Sequence, residues 1–198
     1  MPFSVLAELG NGNLNPPIDI AYTNKRVDEV LRIFLPENIH TIFASPSQRC
    51  QDTAQLIVSA LNKAQATTEV KSLPSLAEVH FDLYGLDRRF NVQKEMQKKG
   101  IVALNSGVFE GMVSGEHCES MGSICRRVQE IFSTLQNTSR GIALCITHDF
   151  LMRVIELSIK RVRSCESITV QQLEGTQRNG YLSGFATNAA LDAFVPFE

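Results

Sequence analysis

Two short segments carry the residues best suited to chemistry. Ser45-Pro46-Ser47-Gln48-Arg49-Cys50-Gln51-Asp52-Thr53-Ala54 places an arginine just behind the apolar run Thr41–Ala44, and Cys145-Ile146-Thr147-His148 places a histidine at the end of the run Gly141–Thr147. Arg49 offers a permanently charged, planar fork of N–H donors, and His148 a ring that can donate and accept. Each is predicted to lie in the first turn of a helix that follows a strand. There, free backbone N–H groups and the helix dipole favour an anion. Taken singly, Arg49 reads as a surface arginine and His148 as a helix cap. Taken together, they read as a clamp for an oxyanion.

The elements that must position them follow from periodicity. Phe3–Leu9 is a short apolar run predicted to be a buried strand. Thr23 is predicted to cap a helix whose apolar residues Val27, Val30, Leu31, Phe34 and Leu35 share a face, with Pro36 closing it. Thr41–Ala44 reads as a second strand, 48–64 as a long helix and Thr68–Leu73 as a third strand. Arg88–Lys99 is expected to be helical. A helix opened by Glu119 or Ser120 buries Ile124, Val128, Ile131, Phe132 and Leu135. Gly141–Thr147 reads as a strand buried on both faces, and the helix begun by His148 carries Leu151, Val154, Ile155 and Ile159. The tail 180–197 holds one or two strands. Strands alternating with helices predict an α/β class, a three-layer α/β/α sandwich with a mostly parallel central sheet. In such sheets the ligand crevice lies beyond the carboxyl ends of the strands. Residues 1–198 are expected to form a single domain, with an excursion over the pocket at about 74–118.

Composition narrows the class without naming a ligand. The 198 residues are 43% hydrophobic and 20% charged with a formal net charge of −2, which points away from nucleic acid and from an anionic membrane. The basic stretch Lys94–Lys99 is interrupted by Glu95 and reads as a solvated helix face. With no basic leader and no run long enough to span a bilayer, the sequence is expected to be cytoplasmic. Five scattered cysteines without a Cys-x-x-Cys pair predict reduced thiols, no disulfide framework and no metal site. No cofactor is expected.

The two segments together resemble the histidine phosphatase superfamily, also called phosphoglycerate mutase-like. Ser45-Pro46-x-x-Arg49-x-x-x-Thr53-Ala54 is similar to that family's second motif, and Thr147-His148 to its second histidine. Leu76-Ala77-Glu78 is similar to the segment with its acidic proton donor, and Gly115-Glu116 is a weaker echo of its Gly-Glu-Ser element. The resemblance implies that Arg49 and His148 bind the phosphate oxygens and that Glu78 is a candidate general acid. It also implies an Arg-His-Gly where this chain has Glu8-Leu9-Gly10. The position of the histidine that attacks phosphorus thus falls on Leu9, which has no lone pair to attack with. Exchanging the neighbouring arginine for Glu8 turns an attraction for phosphate into a repulsion, each on the order of a few kcal/mol at an effective dielectric of about 20.

Two readings follow. In the first, the chain has lost phosphotransfer and serves as a pseudoenzyme that binds a small anionic ligand or a protein partner. In the second, it is a working hydrolase with His148 as general base, Glu78 as general acid and water as nucleophile. A mutase would need the missing phosphohistidine. His80 and His117 read as solvated loop histidines rather than relocated nucleophiles, and His40 as a surface residue. Arg88, Arg89, Lys25 and Arg26 are the candidates to refill the positive charge. Oligomeric state is left open, a dimer included.

Overall fold

The apolar run ahead of Ser45 becomes the middle strand of a parallel sheet in the computed structural model of the chain. That structure describes residues 3–12, 15–33, 38–63, 68–138, 141–160, 165–176, 184–188, 190 and 195–197. Its elements group into two compact units. One gathers residues 1–15, 79–126 and 153–177, and the other gathers residues 16–78, 127–152 and 178–198.

The second unit holds the sheet. Strand β1 (Ile39–Ala44) lies between β2 (Glu69–Ser72) and β3 (Ile142–Ile146), parallel to both. Ala44 stands in register with Ser72 on one side and Ile146 on the other, so the three strands end together. Helices α2 (Ile20–Leu31) and α3 (Gln48–Lys63) supply the rest of the core. Val27, Ala54, Ile57 and Leu61 bury against Ile39, Ile42 and Ala44. Parallel neighbours need a crossover, and α3 provides the one between β1 and β2. Asp19, not Thr23, caps α2: its carboxylate accepts from Tyr22 N at 2.9 Å, while Thr23 turns its hydroxyl back onto Asp19 O at 2.6 Å. Phe34, Leu35 and Pro36, and Ala64 at the end of the long helix, lie outside the described residues. The tail gives two short strands, β4 (Gly184–Ala186) and β5 (Val195–Phe197), paired antiparallel.

Strand β3 departs from the expected burial on both faces. Ile142, Leu144 and Ile146 lean on the core cluster. All three are half-buried, and β3 is an outer strand of the sheet that the described residues form.

The first unit is helical. It holds α1 (Phe3–Gly10), α4 (Leu83–Phe90), α5 (Val92–Lys99), α6 (Ile101–Ser114) and α9 (Val170–Glu174), with the opening turns of α7 (Met121–Gln136) and the later turns of α8 (Asp149–Lys160). The strand expected at Phe3–Leu9 is therefore a helix. Leu, Ala and Glu favour that state, and Leu6, Ala7 and Gly10 are buried at helical spacing. The helix predicted at Arg88–Lys99 is broken at Asn91, whose left-handed φ of 52° ends α4 and opens α5. Asp82 caps α4 through Gly85 N. The expectation of free cysteines fails once: Cys125 and Cys165 are joined as a disulfide with Cα atoms 5.6 Å apart. Their separation of 40 residues hides that pairing from spacing rules.

Candidate functional site

The carboxyl ends of β1 and β3 build a corner from which two turns depart. After Ala44 the chain enters Ser45-Pro46-Ser47 and then α3; after Ile146 it passes Thr147-His148 and enters α8. Ser45 N donates to Ile146 O at 2.9 Å, which ties the turns together. Gln51 closes the first one by donating its amide to Ser45 O at 2.6 Å.

His148 is at the centre and 6% exposed. Its Nδ1 lies 2.8 Å from Arg49 Nη2. A guanidinium only donates, so Nδ1 must accept, and the ring proton of the neutral form sits on Nε2. From there Nε2–H donates to Ser45 Oγ at 2.9 Å, with Ser47 Oγ at 3.3 Å and Cys50 Sγ at 3.6 Å beside it. Burial, then the charges of Arg49 and Arg127, push the imidazole down to about 4. At neutral pH His148 is thus an uncharged ring whose basic nitrogen is already taken by Arg49.

Glu78 comes to the same corner. Its Oε2 is 3.7 Å from His148 Nδ1, outside hydrogen-bond reach. The stretch before it is held from several sides. Thr147 Oγ1 donates to Leu76 O at 2.7 Å, and Arg127 Nη1 donates to Ala77 O at 2.6 Å and to Ser75 O at 3.3 Å. Arg49, Glu78 and His148 are therefore brought together at this corner. Arg127, Ser45, Ser47 and Cys50 are neighbours that the sequence reading overlooked. The serines lay inside the quoted motif and were legible there. Arg127 lay in an unremarkable helix, and only its tertiary placement gives it a role.

The geometry limits the chemistry. A serine nucleophile would need His148 to accept its proton at Nε2, and that nitrogen is the donor. Burial raises the Cys50 thiol above its ordinary range despite Ser47, Arg49 and Ser45 beside it, so it is not a thiolate at neutral pH. What the corner offers is N–H and O–H donors around a positive guanidinium at the start of α3. Among the described residues, no group of three or more His, Cys, Asp and Glu could hold a metal ion.

The remaining candidates have surroundings of their own. Glu8, Leu9 and Gly10 form the last turn of α1, with Glu8 exposed, Leu9 half-buried and Gly10 buried. Gly10 O accepts from Phe81 N at 3.1 Å, and a Cβ on Gly10 would collide with the Phe81 ring. That glycine is thus required locally by packing. His80 is exposed. His117 has a left-handed φ of 57° and lies 3.4 Å from Asp82. His40 is exposed on β1, and Lys25 and Arg88 are exposed. Arg26 is paired with Glu29, and Arg89 with Glu116.

A sequence profile of the histidine phosphatase superfamily (branch 1) matches residues 24–172, three quarters of the chain. The chain belongs to the histidine phosphatase superfamily. The match takes in Arg49, Glu78 and His148 and begins after Glu8, Leu9 and Gly10. No curated protein matches the chain. Solved structures of the same fold include mycobacterial glucosyl-3-phosphoglycerate phosphatase complexed with VO3, at 13% identity and a TM-score of 0.59 over 98% of this chain and 91% of that one. The native form of that phosphatase aligns with a TM-score of 0.60 at 12% identity, over 93% of this chain and 86% of that one. A second likeness is mycobacterial hydrolase 1, with a TM-score of 0.58 at 13% identity over 86% and 78%. At such identities the likeness is one of fold. It supports the expected phosphoglycerate mutase-like α/β architecture around a parallel three-stranded sheet. No helix among the described residues is long and apolar enough to cross a membrane.

Proposed function

We propose that this member of the histidine phosphatase superfamily binds a phosphate-like oxyanion at the Arg49–His148 corner without forming a phosphohistidine. The observation that carries the reading is the 2.8 Å bond from Arg49 to a neutral His148. A guanidinium resting on a ring nitrogen can exchange that weak acceptor for a phosphoryl oxygen, which is the stronger one. Ser47 and the first N–H groups of α3 then face the anion. The VO3 complex of a neighbour with this fold supports an oxyanion as the ligand class. Loss of phosphotransfer rests on Leu9, since a leucine forms no covalent intermediate.

The test is turnover of a panel of phosphomonoesters by the purified chain, with His148→Ala as control, beside calorimetric titration with orthovanadate. The expected result is saturable vanadate binding, no turnover above the control and no acid-labile phosphate on the protein. Turnover abolished by His148→Ala, without acid-labile phosphate, would replace this reading with water attack assisted by His148 and Glu78. Acid-labile phosphate would show a phosphohistidine after all.

A further inference from the structure

Three consecutive carbonyls just ahead of Glu78 are each held by a side chain from elsewhere in the second unit. Ser75 O and Ala77 O accept from Arg127 at 3.3 and 2.6 Å, and Leu76 O accepts from Thr147 at 2.7 Å. Ser75 also gives its hydroxyl to Glu130 Oε2 at 2.7 Å. Arg127 and Glu130 stand three residues apart on α7, on one helix face, so that face grips a single turn of backbone, Pro74–Leu76, from two points. The effect of this grip appears one residue further on, where Glu78 leaves the clamp with its carboxylate 3.7 Å from His148.

We infer that Arg127 is a positioning residue of the oxyanion corner: by holding the Ser75 and Ala77 carbonyls it fixes where the Glu78 carboxylate stands against His148, and so how readily the corner accepts an anion. The inference rests on the proposed oxyanion reading for its ligand and on the clamp alone for its geometry. A carboxylate near a phosphate site opposes the phosphate, so an arginine that holds it still decides how large that opposition is. Arg127 acts through backbone and charge rather than by touching the ligand. Its charge also contributes, after burial and Arg49, to keeping the His148 ring neutral. The titratable and charged groups around that ring are Arg49 and Cys50 from α3, Arg127 from α7 and Glu78 from the held turn.

The experiment compares wild type with Arg127→Met, Arg127→Lys and Arg126→Met. The His148 ring is followed by NMR across pH, and inorganic phosphate is titrated into each protein at pH 7. In wild type the ring should stay neutral well below pH 6. In Arg127→Met its titration should move toward the ordinary histidine range, and phosphate affinity should fall by about tenfold, the scale of a charge-assisted hydrogen bond. Arg127→Lys keeps the charge and loses the two-carbonyl fork, so it should restore most of the ring titration and little of the affinity. Arg126→Met, at the exposed neighbouring position, should change neither reading. A folded Arg127→Met with an unmoved His148 titration overturns the inference. If Arg127→Met fails to fold, Arg127→Lys decides, because wild-type affinity in that variant would overturn the role of the fork. Should wild type bind no phosphate while Arg127→Met still moves the ring, the positioning role stands and the oxyanion reading falls.

Discussion

The last turn of α1 and the Arg49–His148 corner hold the two sets of residues that the superfamily resemblance singles out, and they are built in opposite ways. In the corner the polar atoms are partnered with one another: Arg49 with His148, His148 with Ser45, and the turn before Glu78 with Thr147 and Arg127. At the end of α1 the Leu9 side chain is apolar and the backbone is helical. The glycine that remains there is held by the Phe81 ring. The contrast teaches that a residue's type must be read together with its surroundings. Gly10 is packed against Phe81, whereas Arg49 and His148 share a hydrogen-bond network.

The largest effect that can break this contrast is expected from Arg49→Ala. It removes the charge and the donor fork together, so vanadate affinity should fall at least about a hundredfold, on the order of 3 kcal/mol. An unchanged affinity by calorimetry would leave the corner no better an anion site than the end of α1.

The next effect is a pH dependence of stability carried by His148. Its folded value of about 4 lies below the ordinary 6.5, so between those pH values the unfolded chain binds a proton that the native ring refuses. The contribution is therefore fully present above pH 6.5 and lost as the pH falls toward 4, amounting to about 3 kcal/mol. Urea unfolding at a series of pH values should show this slope, and His148→Gln should flatten it.

A smaller effect belongs to α1. Gly10→Ala drives a Cβ into the Phe81 ring and should destabilise the fold by about 1–3 kcal/mol, read as a lower denaturation midpoint. Wild-type stability in that variant would mean that the glycine is not needed for packing. The smallest effect is expected from Glu8→Arg. This exposed helical position should change stability by no more than about 0.5 kcal/mol in the same assay.

Much of the second unit was legible in residue order. The strand before Ser45, the helix after it and the strand before His148 follow from apolar runs and from where they stop. Their ends place Arg49 and His148 side by side because parallel strands in register finish together. The first unit was less legible. Phe3–Leu9 is too short for its apolar pattern to separate strand from helix. Asn91 breaks a pattern that reads as one helix, since its left-handed backbone is a matter of local geometry rather than polarity.

By itself, then, the sequence determined the family, the α/β class and the absence of an imidazole at position 9, because these depend on residue identity and order. The tertiary structure alone decided the partners of His148, the carbonyls that Arg127 holds, the Cys125–Cys165 bond and the edge position of β3 among the described strands. Each of these depends on distances between groups far apart in the chain. Such distances set electrostatic and hydrogen-bond energies, and residue order does not record them.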